Sequence, residues 1–181
     1  MNDYIPARIY GYYYPISFKD DHYNIISTGR LVCPCSSGAF SIQYAGQLSK
    51  LMFNRVELCP TAENELVIVL ICRDCGGGFL LFDNGVDGYD ALVNRAGHSA
   101  SHGDDKADAP EYRHNGMHAL SCEGCHSDYF KFKIKFEHPP KAEAEASGIS
   151  DYKSAFTWMV IDIECDDCTK KCNGFVDLET G

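Results

Sequence analysis

ECDDC, residues 164–168, is the last of four cysteine pairs, and its likeness to ICRDC at 71–75 decides how the chain is read. Ahead of these two stand LVCPC at 31–35 and SCEGC at 121–125, so the pairs occur twice in the same order. The inner cysteines lie 37 positions apart in the first set, Cys35 to Cys72, and 40 apart in the second, Cys125 to Cys165. Their surroundings match as well. Phe40 follows Cys35 by five positions, as Phe130 follows Cys125. Ile42 and Tyr44 correspond to Phe132 and Ile134; Leu66, Ile68 and Leu70 correspond to Met159, Ile161 and Ile163. GFLLFD (78–83) is matched to GFVDLE (174–179), which places Cys172 in a three-residue insertion before the common Gly-Phe. Such self-similarity is the mark of a duplicated unit.

In YFKFKIKFE (129–137), Phe130, Phe132, Ile134 and Phe136 alternate with Lys131, Lys133 and Lys135, which predicts a half-buried strand. ELVIVLIC (65–72) is β-branched and nearly continuous, so a strand covered on both faces is expected. FTWMVIDIEC (156–165) starts in that way and ends in alternation, with Asp162 and Glu164 toward water. Each copy therefore reads as cysteine turn, strand, loop, strand, cysteine turn, short strand. The fold class is mainly β, two antiparallel units in tandem with few short helices.

The chain has 181 residues, 45% of them hydrophobic, enough for one medium domain or two small ones. Its longest apolar run, LVIVLIC at 66–72, is too short for a membrane helix. The start, MNDYIPARIYGYYYPISF, has an acidic residue where a signal peptide has basic ones, and an intracellular, cytoplasmic protein is expected. In a reducing compartment, clustered cysteine pairs point to metal and away from disulfides. Sixteen basic residues against 26 acidic ones, a formal charge of −10, disfavour a phosphate-backbone partner.

Two closed sets of four thiolates are what a structural zinc ion takes, whereas a catalytic zinc keeps a position for water. Cys33, Cys35, Cys72 and Cys75 form one expected set; Cys122, Cys125, Cys165 and Cys168 form the other, with one zinc ion each. Cys172 is a possible alternative ligand in place of Cys168. Glycine after Cys75, in CRDCGGG, suits the positive φ that such a turn needs. Arg73, Lys170 and Lys171 stand near the sites, where cations would offset thiolate charge. An iron–sulfur cluster also takes four cysteines, but its usual spacing crowds three of them together, which the repeat argues against. Paired cysteine turns at the ends of antiparallel strands resemble a zinc ribbon, and the chain resembles two in tandem over residues 31–83 and 119–179. The resemblance is to a fold pattern, which implies structural zinc and no particular activity. The first pair departs from it as CxC, which tightens that turn.

Cys59 has no counterpart and reads as a structural thiol. Residues 1–30 form a Tyr-rich extension expected to pack on the first unit (31–83). Residues 84–117 read as a polar linker to the second unit (118–181), with one or two helical turns in YDALVNRAG. Within it His98 with His102, and His114 with His118, have helical spacing but sit among Gly, Pro and Asp, so solvated loop histidines are expected. Leu48, Leu51 and Met52 have the spacing of a short helix, and PPKAEAEASG (139–148) reads as a solvated loop. No catalytic constellation emerges, and CGGGF lacks the Lys and Ser/Thr of a phosphate loop. The expectation is a non-catalytic zinc protein acting through a protein partner. Nucleic-acid binding through Lys131, Lys133 and Lys135, or redox-regulated zinc release, are the alternatives.

Overall fold

The computed structural model describes residues 4–20, 24–50, 56–98 and 116–181. The first copy contributes β3 (Phe40–Ala45), β6 (Val67–Cys72) and β7 (Gly78–Asp83), with a hairpin β4 (Gln47–Lys50) and β5 (Val56–Cys59) between β3 and β6. The second contributes β9 (Phe130–His138), β10 (Trp158–Cys165) and β11 (Lys171–Glu179). Strands β1 (Tyr13–Asp20) and β2 (Ile25–Leu31) precede the first copy, and β8 (His118–Ala119) precedes the second. Two α-helices are present among the described residues, α1 (Tyr89–His98) and α2 (Lys141–Ala146), with a short 3-10 turn at Ala7–Ile9. The protein is mainly β, and nine of these strands form one antiparallel sheet.

The two copies share a register. Phe40 pairs with Cys72 and Ala45 with Val67; in the second copy Phe130 pairs with Cys165 and Lys135 with Val160. The copies meet where β3 and β9 bridge antiparallel at Phe40 and Phe130. These residues occupy the same repeat position, so a pseudo-twofold axis passes between them. Cys72, Phe40, Phe130 and Cys165 thereby lie in one row across four strands.

On either side of that row the copies exchange strands. β2, which leads into Cys33, is hydrogen-bonded to β9 of the second copy from Ile25–His138 to Arg30–Lys133. β8, which leads into Cys122, is paired to β3 of the first copy through Gln43–Ala119 and Tyr44–His118. Each long strand is thus interrupted by a cysteine turn as it crosses the axis. The inner side chains form one cluster in which Phe40, Ile42, Ile68, Leu70 and Phe82 join Phe132, Ile134, Phe136, Ile161 and Val176. Burial alternates along β9, as its sequence predicts. In β6 the outward Val69 and Ile71 are half-buried, so that strand is covered less on one face than its composition implies.

The N-terminal extension departs from expectation. It touches the first copy through Tyr12, stacked on Phe79 at 3.7 Å between ring centroids, but its hairpin adds to the second copy's sheet through β2. The open edge of β3 is already taken by β8 and β9, whereas β9 offers its length to β2. Tyr13 lies directly over Gly29, where any Cβ would collide with the ring. The linker reading is also revised: Asn84 binds the backbone of Leu66 and Asn64, and α1 docks on the second copy. There Tyr89, Leu92 and Val93 pack against Ala144, Ile149 and Ala155. PPKAEAEASG forms α2 with Ala144 buried, since Ala, Glu and Lys favour helix and Lys141 pairs with Glu145 one turn on. Leu48 lies in strand β4, not in a helix, because it pairs with Leu58 across the hairpin; Leu51 and Met52 fall outside the described residues.

Candidate metal centre

Four turns place eight thiols, and they share one hydrogen-bond frame. The N–H of the residue after the second cysteine donates to the carbonyl of the first: Gly76 to Cys72, His126 to Cys122 and Thr169 to Cys165, at 2.8–3.0 Å, and Ser36 to Cys33 at 2.7 Å. The N–H of each first cysteine returns to the next carbonyl along, from Cys33 to Ser37, Cys72 to Gly77, Cys122 to Ser127 and Cys165 to Lys170. The CxC turn closes over one residue fewer, which is the tightening its sequence predicts. This frame requires a left-handed residue at its last corner. Only Gly76 is a glycine there; Ser36, His126 and Thr169 take φ of 77°, 60° and 58°. Glycine was thus a signal for one turn of the four.

The turns bring the thiols together as two quartets, Cys33, Cys35, Cys72 and Cys75, and Cys122, Cys125, Cys165 and Cys168. Within each, all sulfurs lie inside 4.8 Å of one another. Cross-turn contacts are Cys33 to Cys75 at 3.6 Å and Cys35 to Cys72 at 3.5 Å, then Cys122 to Cys168 at 3.6 Å and Cys125 to Cys165 at 3.4 Å. Sulfurs about 2.3 Å from a tetrahedral zinc are about 3.8 Å apart, so the quartets fit one ion each; a disulfide would need about 2 Å. In both, the first cysteine of each turn is buried and the last exposed.

The electrostatics of the quartets suits a cation. Burial opposes ionisation of Cys72, yet the N–H groups of Cys75 and Asp74 and the thiols of Cys35 and Cys33 outweigh it and bring Cys72 down to about 6. In the second quartet, burial is likewise outweighed by the N–H groups of Gly124 and Cys125, and Cys122 comes down to about 7. One thiolate per quartet then resists the rest. Cys33 is pushed up to about 12, chiefly by burial and in part by the neighbouring sulfurs of Cys35, Cys75 and Cys72. The Ser127 N–H favours a Cys125 thiolate, but the sulfurs of Cys165 and Cys168 push it up to about 12. A divalent ion removes that conflict by making all four thiolates favourable.

Cys172 lies outside the second quartet. It sits in β11 opposite Ile163, and its thiol donates to the Val56 carbonyl at 3.1 Å. The register also corrects the alignment of the two Gly-Phe motifs. Ile163 and Leu70 are equivalent, and their partners are Cys172 and Phe79. By this register the second copy has a single additional residue, taken up in the bulge of β11 between Cys172 and Val176, which the Gly174 N–H holds on the Asp162 carboxylate at 2.7 Å. Cys59 is half-buried in β5. His118 belongs to β8 and does not join a cysteine quartet; His98 ends α1, and His102 and His114 lie outside the described residues.

Cations near the quartets are committed to carboxylates. Arg73 reaches across to Asp166 at 2.7 Å and Asp167 at 3.4 Å, and lies over the Tyr129 ring at 5.0 Å. Lys170 faces Glu123 at 3.7 Å and Lys171 faces Glu164 at 3.3 Å. Of the lysine strip, Lys131 is bound to Asp166 at 2.8 Å and Lys135 to Glu137 at 2.6 Å. Among the described residues no helix is long and apolar enough to cross a membrane. The sequence matches no family model, and no curated protein or solved structure is significantly similar to it.

Proposed function

We propose that this is a non-catalytic protein in which two structural zinc ions hold a duplicated β-scaffold that acts by binding a protein partner. The observation that carries the metal assignment is the pair of closed thiol quartets at tetrahedral spacing. Four sulfurs on each ion leave no position for water or substrate, which favours a structural role over catalysis. When bound, zinc would act as a tetrahedral cross-link. The chain's own part is to present the thiols and to direct backbone N–H groups at them, as Cys75 and Asp74 do for Cys72. A partner protein is favoured by the acidic surplus, and a nucleic acid is disfavoured by the carboxylates that bind Lys131 and Lys135.

Native mass spectrometry of the purified chain tests the metal. Two zinc ions per chain are expected, and iron or none would overturn the assignment. Affinity capture from the source cell, followed by reconstitution with the captured protein, tests the role. Failure to reconstitute any protein complex would overturn it.

A further inference from the structure

The internal duplication allows one half of the molecule to show what the other half takes. In the first copy, the ring of Tyr12 is stacked on Phe79 at 3.7 Å and 14° between planes. It packs against the core cluster to which Cys33 and Cys72 belong. Its backbone is tied down as well: the Val32 N–H donates to the Tyr12 carbonyl at 2.8 Å. The tyrosine is presented there by the preceding 3-10 turn, Ala7–Ile9, which abuts β7.

The register gives the counterpart of each of these residues in the second copy. Phe79 becomes Cys172, Leu70 becomes Ile163 and Phe40 becomes Phe130. On the strands ahead of the quartets, Leu31 becomes Leu120 and Val32 becomes Ser121, since Arg30 and Ala119 stand opposite the equivalent Lys133 and Gln43. Cys172, Ile163, Phe130, Leu120 and Ser121 all line one cavity of about 650 Å³. β5 lies along β11 there and accepts the Cys172 thiol through Val56, and the described residues of β4 and β5 line this space without filling it. Ser121 N–H, which corresponds to the donor that holds Tyr12, has no backbone acceptor among the described residues. The position filled by an aromatic side chain in one half is therefore a cavity in the other, with an apolar wall and a spare backbone donor.

We propose that this cavity is the docking site for a tyrosine-bearing peptide segment of the partner protein, which supplies in trans what Tyr12 supplies within the first copy. The proposal rests on the reading that the protein acts through a protein partner, and it specifies the partner's chemistry. The ring enters over Cys172 and Phe130, where a sulfur–aromatic contact replaces the ring stacking of the first copy. The carbonyl of the same residue accepts from Ser121 N–H. A tyrosine suits such a place because it buries a large apolar face while keeping its hydroxyl at the rim. The volume lies within the roughly 300–1,000 Å³ of preformed binding sites.

The test uses the full chain, with both ions verified by native mass spectrometry, and a fluorescent peptide of its own residues 6–14, PARIYGYYY. Saturable anisotropy is expected, about tenfold weaker for the peptide with Tyr12→Ala and for protein with Leu48→Asp at the cavity rim. A peptide carrying a photoreactive benzoylphenylalanine in place of Tyr12 should cross-link to residues around Cys172. The absence of saturable binding to the two-ion protein, equal affinity of the two peptides, or cross-links confined to β7 would overturn the site. A captured partner that the peptide does not displace would leave the interaction role standing and remove this site alone.

Discussion

Arg73 and Asp166 occupy the same position in the two copies, and they bind each other at 2.7 Å. Each follows the first cysteine of the second turn of its quartet, and each N–H makes the same bond, Arg73 to the Ala39 carbonyl and Asp166 to that of Tyr129. In a symmetric pair of identical chains this position would bring like charges together across the axis. A duplicated chain is free of that restriction, and here the two halves carry opposite signs.

Exchange of these charges should therefore be tolerated better than loss of either. Arg73→Asp leaves Asp166 and Asp167 facing a third carboxylate, and it should lower the melting temperature by a few degrees and speed zinc loss to a chelator. The double variant Arg73→Asp/Asp166→Arg, made with Lys131→Ala because Lys131 also binds Asp166, should recover part of both relative to Arg73→Asp/Lys131→Ala. Melting curves and chelator kinetics in low salt check this, since the pair is exposed and screened. Equal behaviour of these last two variants would show that the pair does not act as a unit.

Removal of one quartet should reach the other. Zinc in a four-thiolate site contributes on the order of 10 kcal/mol to folding. Because β2 and β8 are exchanged between the copies and the core is shared, that loss cannot be confined to one half. Cys72→Ser should reduce the metal content from two ions to one and lower a single cooperative transition. Two separate calorimetric transitions would show instead that the halves melt independently.

The left-handed corners offer a gain. His126 holds φ of 60° in a position that Gly76 fills without strain in the first copy. His126→Gly should raise stability by about 0.5–1 kcal/mol, the left-handed penalty less the added freedom of glycine when unfolded. Urea denaturation of the zinc-loaded protein measures it, and a loss of stability would show that the histidine ring contributes more than its backbone costs.

His138 should make the fold sensitive to mild acid. The ring is fully buried beside Tyr4, Phe136 and Phe156, and among the described residues neither nitrogen has a partner at full hydrogen-bond geometry. Burial brings it down to about 4, opposed only in part by the nearby backbone of Tyr4 and Ala155. The unfolded chain binds a proton near pH 6.5 and the folded one does not until about pH 4, so stability falls as pH drops through that window. Between pH 7.5 and 6 the loss is about 1 kcal/mol. His138→Phe should flatten that part of the pH profile in zinc-loaded protein, and an unchanged slope would assign it to other groups.

What the sequence determined by itself was local and periodic. The spacing of the cysteine pairs named all eight members of the quartets, because such turns are built from adjacent residues whose backbone closes on itself. The alternation of Phe130 to Phe136 with lysines determined the face of β9, because side chains in a strand point alternately. The sequence suggested one or two helical turns in YDALVNRAG, where α1 runs over ten residues, and its docking on Ala144 and Ala155 was not legible. Tertiary structure alone decided that Phe40 meets Phe130, that β2 and β8 change sides, and that Cys172 takes the place of Phe79. Those outcomes depend on which strand edges remain open once neighbours have paired. Edge hydrogen bonds are made by backbone groups common to every residue, so no side chain records them.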